Sequence, residues 1–463
     1  MSERERALLL FAITLSGFLG AFTVSATNVA LPMIESEFGV SAVTLSWIPL
    51  AYVLGTAAAL MPMGRLADLH GHRRSFMWSL RVFTALMLAA GFAPSAGVLM
   101  AVRAAQGVAG AMVITTSTAM VTFAYPPEGR GRALGLFAAG PYLGLTLGPV
   151  LGGVIIHNTG WRTLFLAAGA LSVANCVIPI WRLGGIEWHE PKRAGFDVLG
   201  AVLYAVALPA LLLGFTLLPS LLGTILVAPG AAGLGAFLWW ETRAADPLLN
   251  VDLFRHNRVF AFSNLAAFIN YAATLAITFL MSLYLQYTRG LNPQTAGFVL
   301  VAGAFVQAAF SPVAGRVADR VEARLVASAG MGLCVLGLLG LVFVGQDTAY
   351  WYVIAMLCML GLGFAFFAAP ITLAVMGSVE TRHVGVASST LATVRWAGQN
   401  LSIGVAGLVL AIVVGQEAIV PAVYPRVLTS VRITFGIFTA LCALGVAAAL
   451  VGPGRRRRRP STS

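Results

Sequence analysis

The sequence predicts an all-α polytopic membrane protein, and three observations carry that reading. Hydrophobic residues fill 59% of the 463 positions and charged residues only 10%, with a mean hydropathy of +0.88. Soluble domains carry roughly a quarter charged residues, so a water-soluble fold of this length would lack the polar surface to cover itself. The apolar residues also run in long blocks, such as 7–29, 198–218 and 435–451. An α-helix needs about 20 such residues to cross the hydrocarbon layer, and it satisfies its own backbone there. Finally, the basic residues gather in alternate joints between the blocks, as the positive-inside tendency requires of membrane helices.

Breaking the blocks at charged and Pro/Gly-rich stretches gives about fourteen spans. They fall near 7–33, 44–66, 75–94, 97–121, 132–157, 163–183 and 197–218, then 221–240, 258–286, 294–318, 323–344, 351–376, 386–415 and 431–452. The first block follows Arg4 and Arg6 but is too long for a secretory h-region and ends in no small-residue cleavage site, so it reads as a retained helix. With both termini on the cytoplasmic side, the inner joints hold Arg65, Arg73, Arg74, Arg130, Arg132, Arg182, Lys192, Arg193, Arg243, Arg255, Arg258, Arg316, Arg320, Arg324 and Arg382. Arg4, Arg6 and the 455–459 arginine run add to them, against only Arg162, Arg289, Arg426 and Arg432 outside. The net charge of +12 and the arginine run do not point to nucleic acid. A polybasic segment directly after a span contacts anionic lipid instead.

The joints divide the chain into an N-terminal six-helix bundle (1–185), an inserted two-helix segment with polar joints (186–257) and a C-terminal six-helix bundle with the basic tail (258–463). An internal echo supports two related halves. Gly64-Arg65-Leu66-Ala67-Asp68 closes the second span, and Gly315-Arg316-Val317-Ala318-Asp319 closes the second span of the later six. Parallel repeats of this kind place a substrate site near mid-membrane between them. The four cysteines sit far apart inside apolar blocks, without a CxxC pair, and behave as small hydrophobes.

Three stretches carry candidate mechanism. Gly64, Asp68, Gly71, Arg73 and Arg74 lie in the 64–74 loop, where glycine permits a tight turn and Asp68 can meet a helix N-terminus or an arginine. In the fourth span, Arg103 and Gln106-Gly107 put a charge inside an apolar helix, which is a functional signal by default. In the fifth span, Gly140, Gly144, Gly148 and Gly152, with Gly153, place small residues at four-residue spacing for close helix packing, and Pro141 and Pro149 bend the helix.

These stretches resemble motifs of the major facilitator superfamily. The 64–74 loop is similar to its G-x-L-a-D-r-x-G-r-k loop, 99–107 to its l-x-x-x-R-x-x-Q-G motif, and 140–153 to its g-x-x-x-G-P-x-x-G-G antiporter motif. With Asn28-Val29-Ala30-Leu31-Pro32, Gly160-Trp161-Arg162, Arg395, Gly398 and about fourteen spans, the whole chain looks like the fourteen-helix drug:proton antiporter family. The resemblance implies two six-helix bundles plus two additional central helices, and export of small amphipathic compounds by proton antiport. It implies a conformational latch at Gly64, Asp68, Gly71, Arg73, Arg74 and Asp319, and proton coupling or substrate contacts at Asn28, Arg103, Gln106, Tyr142 and Arg395. The antiporter motif maps to Gly144, Gly148, Pro149, Gly152 and Gly153. It further implies a single chain in the cytoplasmic membrane, with substrate, protons and lipid as partners and no cofactor or metal.

The sequence departs from that family in one respect. Family members with cationic substrates carry an aspartate in the first span, where this chain has Thr23, and none of its 17 acidic residues falls near the centre of a span. A buried carboxylate attracts cations and exchanges protons near neutral pH. Without one, the middle of the cavity is neutral to positive, with Arg103 and Arg395 as its charges. Asn28, Thr115, Tyr142, Asn264, Asn270, Gln307, Gln399 and Asn400 are its candidate polar lining. The expected cargo is therefore neutral, zwitterionic or anionic. A P-loop needs Gly-Lys-Ser/Thr, and the single lysine, Lys192, follows Pro191, which argues against an ATP-driven pump. The lack of clustered mid-span acids argues against an enzyme. The alternative kept open is a proton-linked importer or exporter of one neutral or anionic metabolite.

Overall fold

A computed structural model describes residues 1–40, 42–182, 195–218, 220–273, 275–291, 293–415 and 423–450. The 185/186 boundary, Lys192, Arg193, Glu417 and the 455–459 arginine run lie outside the described residues.

The described chain is helical throughout. The helices are α1 (Glu3–Phe38), α2 (Ala42–His70), α3 (His72–Gly91), α4 (Ala96–Ala124), α5 (Pro127–Thr159), α6 (Trp161–Arg182), α7 (Val198–Leu217) and α8 (Leu221–Glu241). Then come α9 (Val251–His256), α10 (Arg258–Ala272), α11 (Leu275–Leu283), α12 (Pro293–Arg320), α13 (Ala323–Val342), α14 (Tyr350–Gly377), α15 (Val384–Val413) and α16 (Tyr424–Leu450). Side chains cap several starts: Ser2, Ser95, Asp197, Ser220 and Asn257 each accept a first-turn N–H, meeting donors that have no partner within the helix.

Of the about fourteen expected spans, the described structure supports twelve. Among the described residues, twelve helices are long and apolar enough to cross a membrane. Two of the expected spans fall short for different reasons. The α3 helix opens with His72, Arg73 and Arg74 and carries exposed Arg81 midway, which dilutes its apolar face. The described apolar stretch of α6 runs only over Trp161–Val177. Both nevertheless pack within the helical array: α3 against α4 and α6, and α6 against α1. The expected 258–286 span is also not one continuous α-helix. It is α10, α11 and a π-helical turn over Tyr284–Thr288, although the whole stretch remains apolar enough to span.

Packing follows the repeat. In the first half α1 lies along α5 and α2 along α4, while in the second half α12 and α13 lie along α14 and α13 along α16. The α7–α8 pair packs on itself and, through α7, on α2 and α15. Short joints make successive helices antiparallel, so the bundle has two ends. One carries Arg6, the 64–74 loop, Arg130, Arg320 and Arg324, and is called here the basic end. The Tyr125 hydroxyl donates to the Arg6 carbonyl there, at 3.0 Å. At the opposite end Glu37, just past the apolar part of α1, accepts from Trp161 Nε1 at 2.7 Å and from Arg162, whose other nitrogen donates to the Ala93 carbonyl at 3.0 Å. Gly71, between α2 and α3, has φ +90°, a conformation that glycine reaches without the Cβ clash other residues meet.

The hydrogen bond from Arg162, and then that from Trp161, hold the Glu37 carboxyl below the usual carboxylate range. A depressed folded pKa stabilises above the unfolded value and ceases to do so as pH falls through the folded one. We expect the melting temperature of the Glu37→Gln variant to converge with that of the parent chain as the pH falls into the acid range, and to lie below it at neutral pH. Parallel melting curves at all pH values would contradict this.

Candidate functional site

At the basic end the two halves meet at two crossings related by the internal repeat. Gly64 on α2 lets that helix close on α15, where an added Cβ would lie 2.5 Å from Cβ of Ser389. One turn on, the carboxylate of Asp68 presses on the α carbon of Gly385, near the start of α15. Its Oδ1 is 3.1 Å from Nε2 of buried His72, while Oδ2 has no partner among the described residues. The echo at Asp319 makes the same kind of contact to α5. Oδ1 accepts the Gly131 N–H at 2.6 Å and Oδ2 the Arg132 N–H at 2.9 Å. There Gly131 and Gly315 bring the backbones of α5 and α12 into direct contact. Each carboxylate thus sits near the positive end of a helix of the other half. Of the predicted latch residues, Gly64 and Asp68 reach one crossing and Asp319 the other. Gly71 forms the turn; Arg73 is half-buried and Arg74 exposed. Their partners on α15 and α5 were not singled out in sequence, because nothing in one chain's spacing says which helices will cross.

Deeper along the seam, polar groups from five helices converge. Tyr142 of α5 has Tyr271 (α10), Arg395 (α15) and Gln307 (α12) as its electrostatic neighbours. Arg395 donates to Thr372 Oγ1 on α14 and lies 5.2 Å from the Tyr271 ring, and its Nε has no partner among the described residues. Tyr142, Gln307 and Arg395 were expected lining; Tyr271 and Thr372 were not, since an aromatic or a threonine in an apolar span carries no signal by itself. Nearby on the α15 side, the Tyr204 hydroxyl of α7 meets Thr393 Oγ1 at 2.9 Å.

Arg103 occupies a separate site inside the first half. It is fully buried, its Nη1 donates to Gln106 Oε1 at 2.6 Å, and its guanidinium lies 4.6 Å from the Tyr52 ring centre. Nε, Nη2 and the Gln106 Nε2 have no partners among the described residues. Cation–π contact offsets part of the desolvation, but an unpaired buried charge is otherwise expensive. Among the described residues, neither Arg103 nor Arg395 forms an ion pair with a carboxylate. Asn28 is exposed on the outer part of α1, Thr115 hydrogen-bonds its own helix, Asn264 donates to the Phe260 carbonyl and Asn400 to the Trp396 carbonyl. Asn270 is buried against Cys334, and Gln399 is half-buried on α15.

The glycine series in α5 faces α1. An added Cβ would meet Thr14 at Gly140, the Phe18 carbonyl at Gly144, Ser25 at Gly148 and Ala26 at Gly152. At Gly153 an added Cβ would have room, its nearest neighbour being the Val29 side chain of α1 at 4.0 Å. Pro141 and Pro149 both lie inside the helix, and the Pro141 ring sits where a Cβ added at Gly17 of α1 would meet it at 3.0 Å. The ladder therefore binds α1 to α5 within one half, a contact distinct from the seam.

Residues 13–399 and 263–463 match the family model of the Major Facilitator Superfamily. The chain is 32% identical over 422 residues to the multidrug resistance protein Stp of Mycobacterium tuberculosis, covering 88% of this chain and 76% of that protein. It is 30% identical to the methylenomycin A resistance protein of Streptomyces coelicolor, covering 85% and 84%. In fold it matches the crystal structure of the human organic anion transporter MFSD10 (TETRAN) with a TM-score of 0.69 at 15% identity, covering 97% of this chain and all of that one. A chain of membrane-crossing helices in two echoed halves, with a polar seam between them, matched along almost its whole length by that family, is a multi-pass transporter of the Major Facilitator Superfamily.

Proposed function

We propose that the chain is a secondary active exporter of small amphipathic compounds, working by alternating access and proton antiport in the cytoplasmic membrane as a single chain. The observation that carries the cargo preference is two arginines, Arg395 at the seam and Arg103 buried inside the first half, which have unpartnered nitrogens and no carboxylate counter-ion among the described residues. Such a cavity favours neutral, zwitterionic or anionic compounds and repels dications. The resistance proteins Stp and methylenomycin A resistance protein support export as the direction. On this reading α3 and α6 also cross the membrane. That completes fourteen spans of the drug:proton antiporter type, with both ends and the basic end in the cytoplasm and the α7–α8 pair as an insert between two six-helix bundles. The two carboxylate crossings at Asp68 and Asp319 close the cytoplasmic side while the cavity faces outward. Arg103, Gln106, Tyr142 and Arg395 contact substrate or couple to protons.

Everted vesicles with an imposed pH gradient test the reading. We expect gradient-dependent uptake of an anionic or zwitterionic amphiphile, reduced at least about tenfold by Arg395→Ala, in line with the loss of one charge-assisted contact. Efficient gradient-driven transport of a divalent quaternary ammonium would refute the cargo preference. Uptake that ignores the gradient would remove proton antiport.

A further inference from the structure

The sequence reading placed Glu241 in a polar joint, but the fold buries it to 3% exposure at the end of α8. Its Oε2 accepts the Leu249 N–H at 2.8 Å, and its Oε1 has no partner among the described residues. Beside it stands the carboxylate of Asp197, which caps α7 through the Gly200 N–H and accepts Trp240 Nε1 at 2.9 Å. Gly200 shows how close the two acids are. A Cβ added there would meet Asp197 Oδ2 and, at 2.6 Å, Glu241 Oε1. Two carboxylates so placed, one of them buried, are not both ionised readily. Among the described residues, the charged groups facing them are Arg65 from α2 and Asp246 from the joint after α8. Arg65 is held at 3.5 Å by Asp246 and at 3.3 Å by the Gly195 carbonyl, so part of its charge is already committed.

We propose that Asp197 and Glu241 form a proton-binding site at the basic end of the α7–α8 pair, with the proton added to Glu241 Oε1 from water on that side and returned to it. Half-buried Asp197, next to exposed Gly195, supplies the path to water. The geometry also links the site to the moving parts. Arg65 belongs to the 64–74 loop that closes on α15, and α7 reaches α15 through Tyr204 and Thr393. Protonation removes a negative charge next to Arg65 and relaxes the joint between α2 and the inserted pair. In this way a transporter without a mid-span acid responds to protons. That last step rests on the proposed antiport; proton binding itself does not.

The test uses the full chain in lipid nanodiscs and in everted vesicles, with Glu241→Gln and Asp197→Asn, each checked for melting temperature. Infrared difference spectra across the neutral range are expected to contain a titrating protonated-carboxyl band that is absent from Glu241→Gln and shifted in pH in Asp197→Asn. Transport by the parent chain is expected to change by up to about tenfold per pH unit on its steep limb, as one titrating proton allows, and to become nearly flat in Glu241→Gln. A carboxyl band and a pH profile both unchanged in the two variants would overturn the proposal. If the parent chain ignores the gradient while the band still depends on Glu241, the antiport reading fails and the proton site stands.

Discussion

Gly144→Ala is expected to abolish transport and to lower the amount of folded protein in the membrane. The added methyl group would press on the Phe18 carbonyl oxygen and stand 2.8 Å from the Phe22 nitrogen. Both are backbone atoms of α1, so no side-chain rotamer can relieve the clash. The α1 helix must shift away from α5, loosening the neighbouring contacts at Gly140 and Gly148 as well. Overpacking of this kind costs about 1–3 kcal/mol where the structure can adjust, and more where two backbones are the colliding parts. Close approach is also what drives association in lipid, where no hydrophobic force acts between helices. Gly153→Ala is the control, because its methyl meets only Val29 at 4.0 Å and should leave both amount and transport near the parent values. Equal behaviour of the two variants, measured by thermal melting in detergent and by vesicle uptake, would show that the spacing of glycines matters less than their number.

Asp319→Ala is expected to open the basic end and slow turnover. The variant loses two hydrogen bonds from the Gly131 and Arg132 N–H groups to a charged acceptor, at 2.6 and 2.9 Å. Hydrogen bonds to charged groups contribute about 1.5–3 kcal/mol each, and the exposed one less. A loss of about 1.4–3 kcal/mol is roughly a tenfold to hundredfold shift between two conformations. The α5–α12 crossing should therefore separate far more often, while the chain stays folded because the lost contact joins the halves and not the core of either. A cysteine placed at Ser389, buried at the other crossing behind Gly64, reports the opening through its rate of maleimide labelling. Faster labelling with unchanged melting is the expected pair of results; unchanged labelling would remove Asp319 from the latch. Asp68→Asn should act in the same direction at the α2–α15 crossing.

The glycine ladder, the basic loops and the long apolar blocks were legible because each depends on periodicity or on transfer from water to lipid, and both are properties of neighbouring residues in one strand of chain. Asp68 and Asp319 could be paired from sequence because the motif repeats, and Arg103 stood out because a charge in an apolar run is conspicuous. Tertiary structure decided the rest. Which helix each carboxylate meets, that Tyr271 and Thr372 join Tyr142 and Arg395, and that Gly153 has room beside α1 where Gly144 has none all depend on how helices cross. The span count divided along the same line. Length and apolarity alone pass twelve helices among the described residues, and α3 and α6 find their places by packing against α4 and α1 rather than by their own hydropathy. Glu241 is the clearest instance. In sequence it is an acid at a helix end, where water is the expected neighbour. Only the return of the chain at Leu249 and the close packing of α7 at Gly200 take that water away.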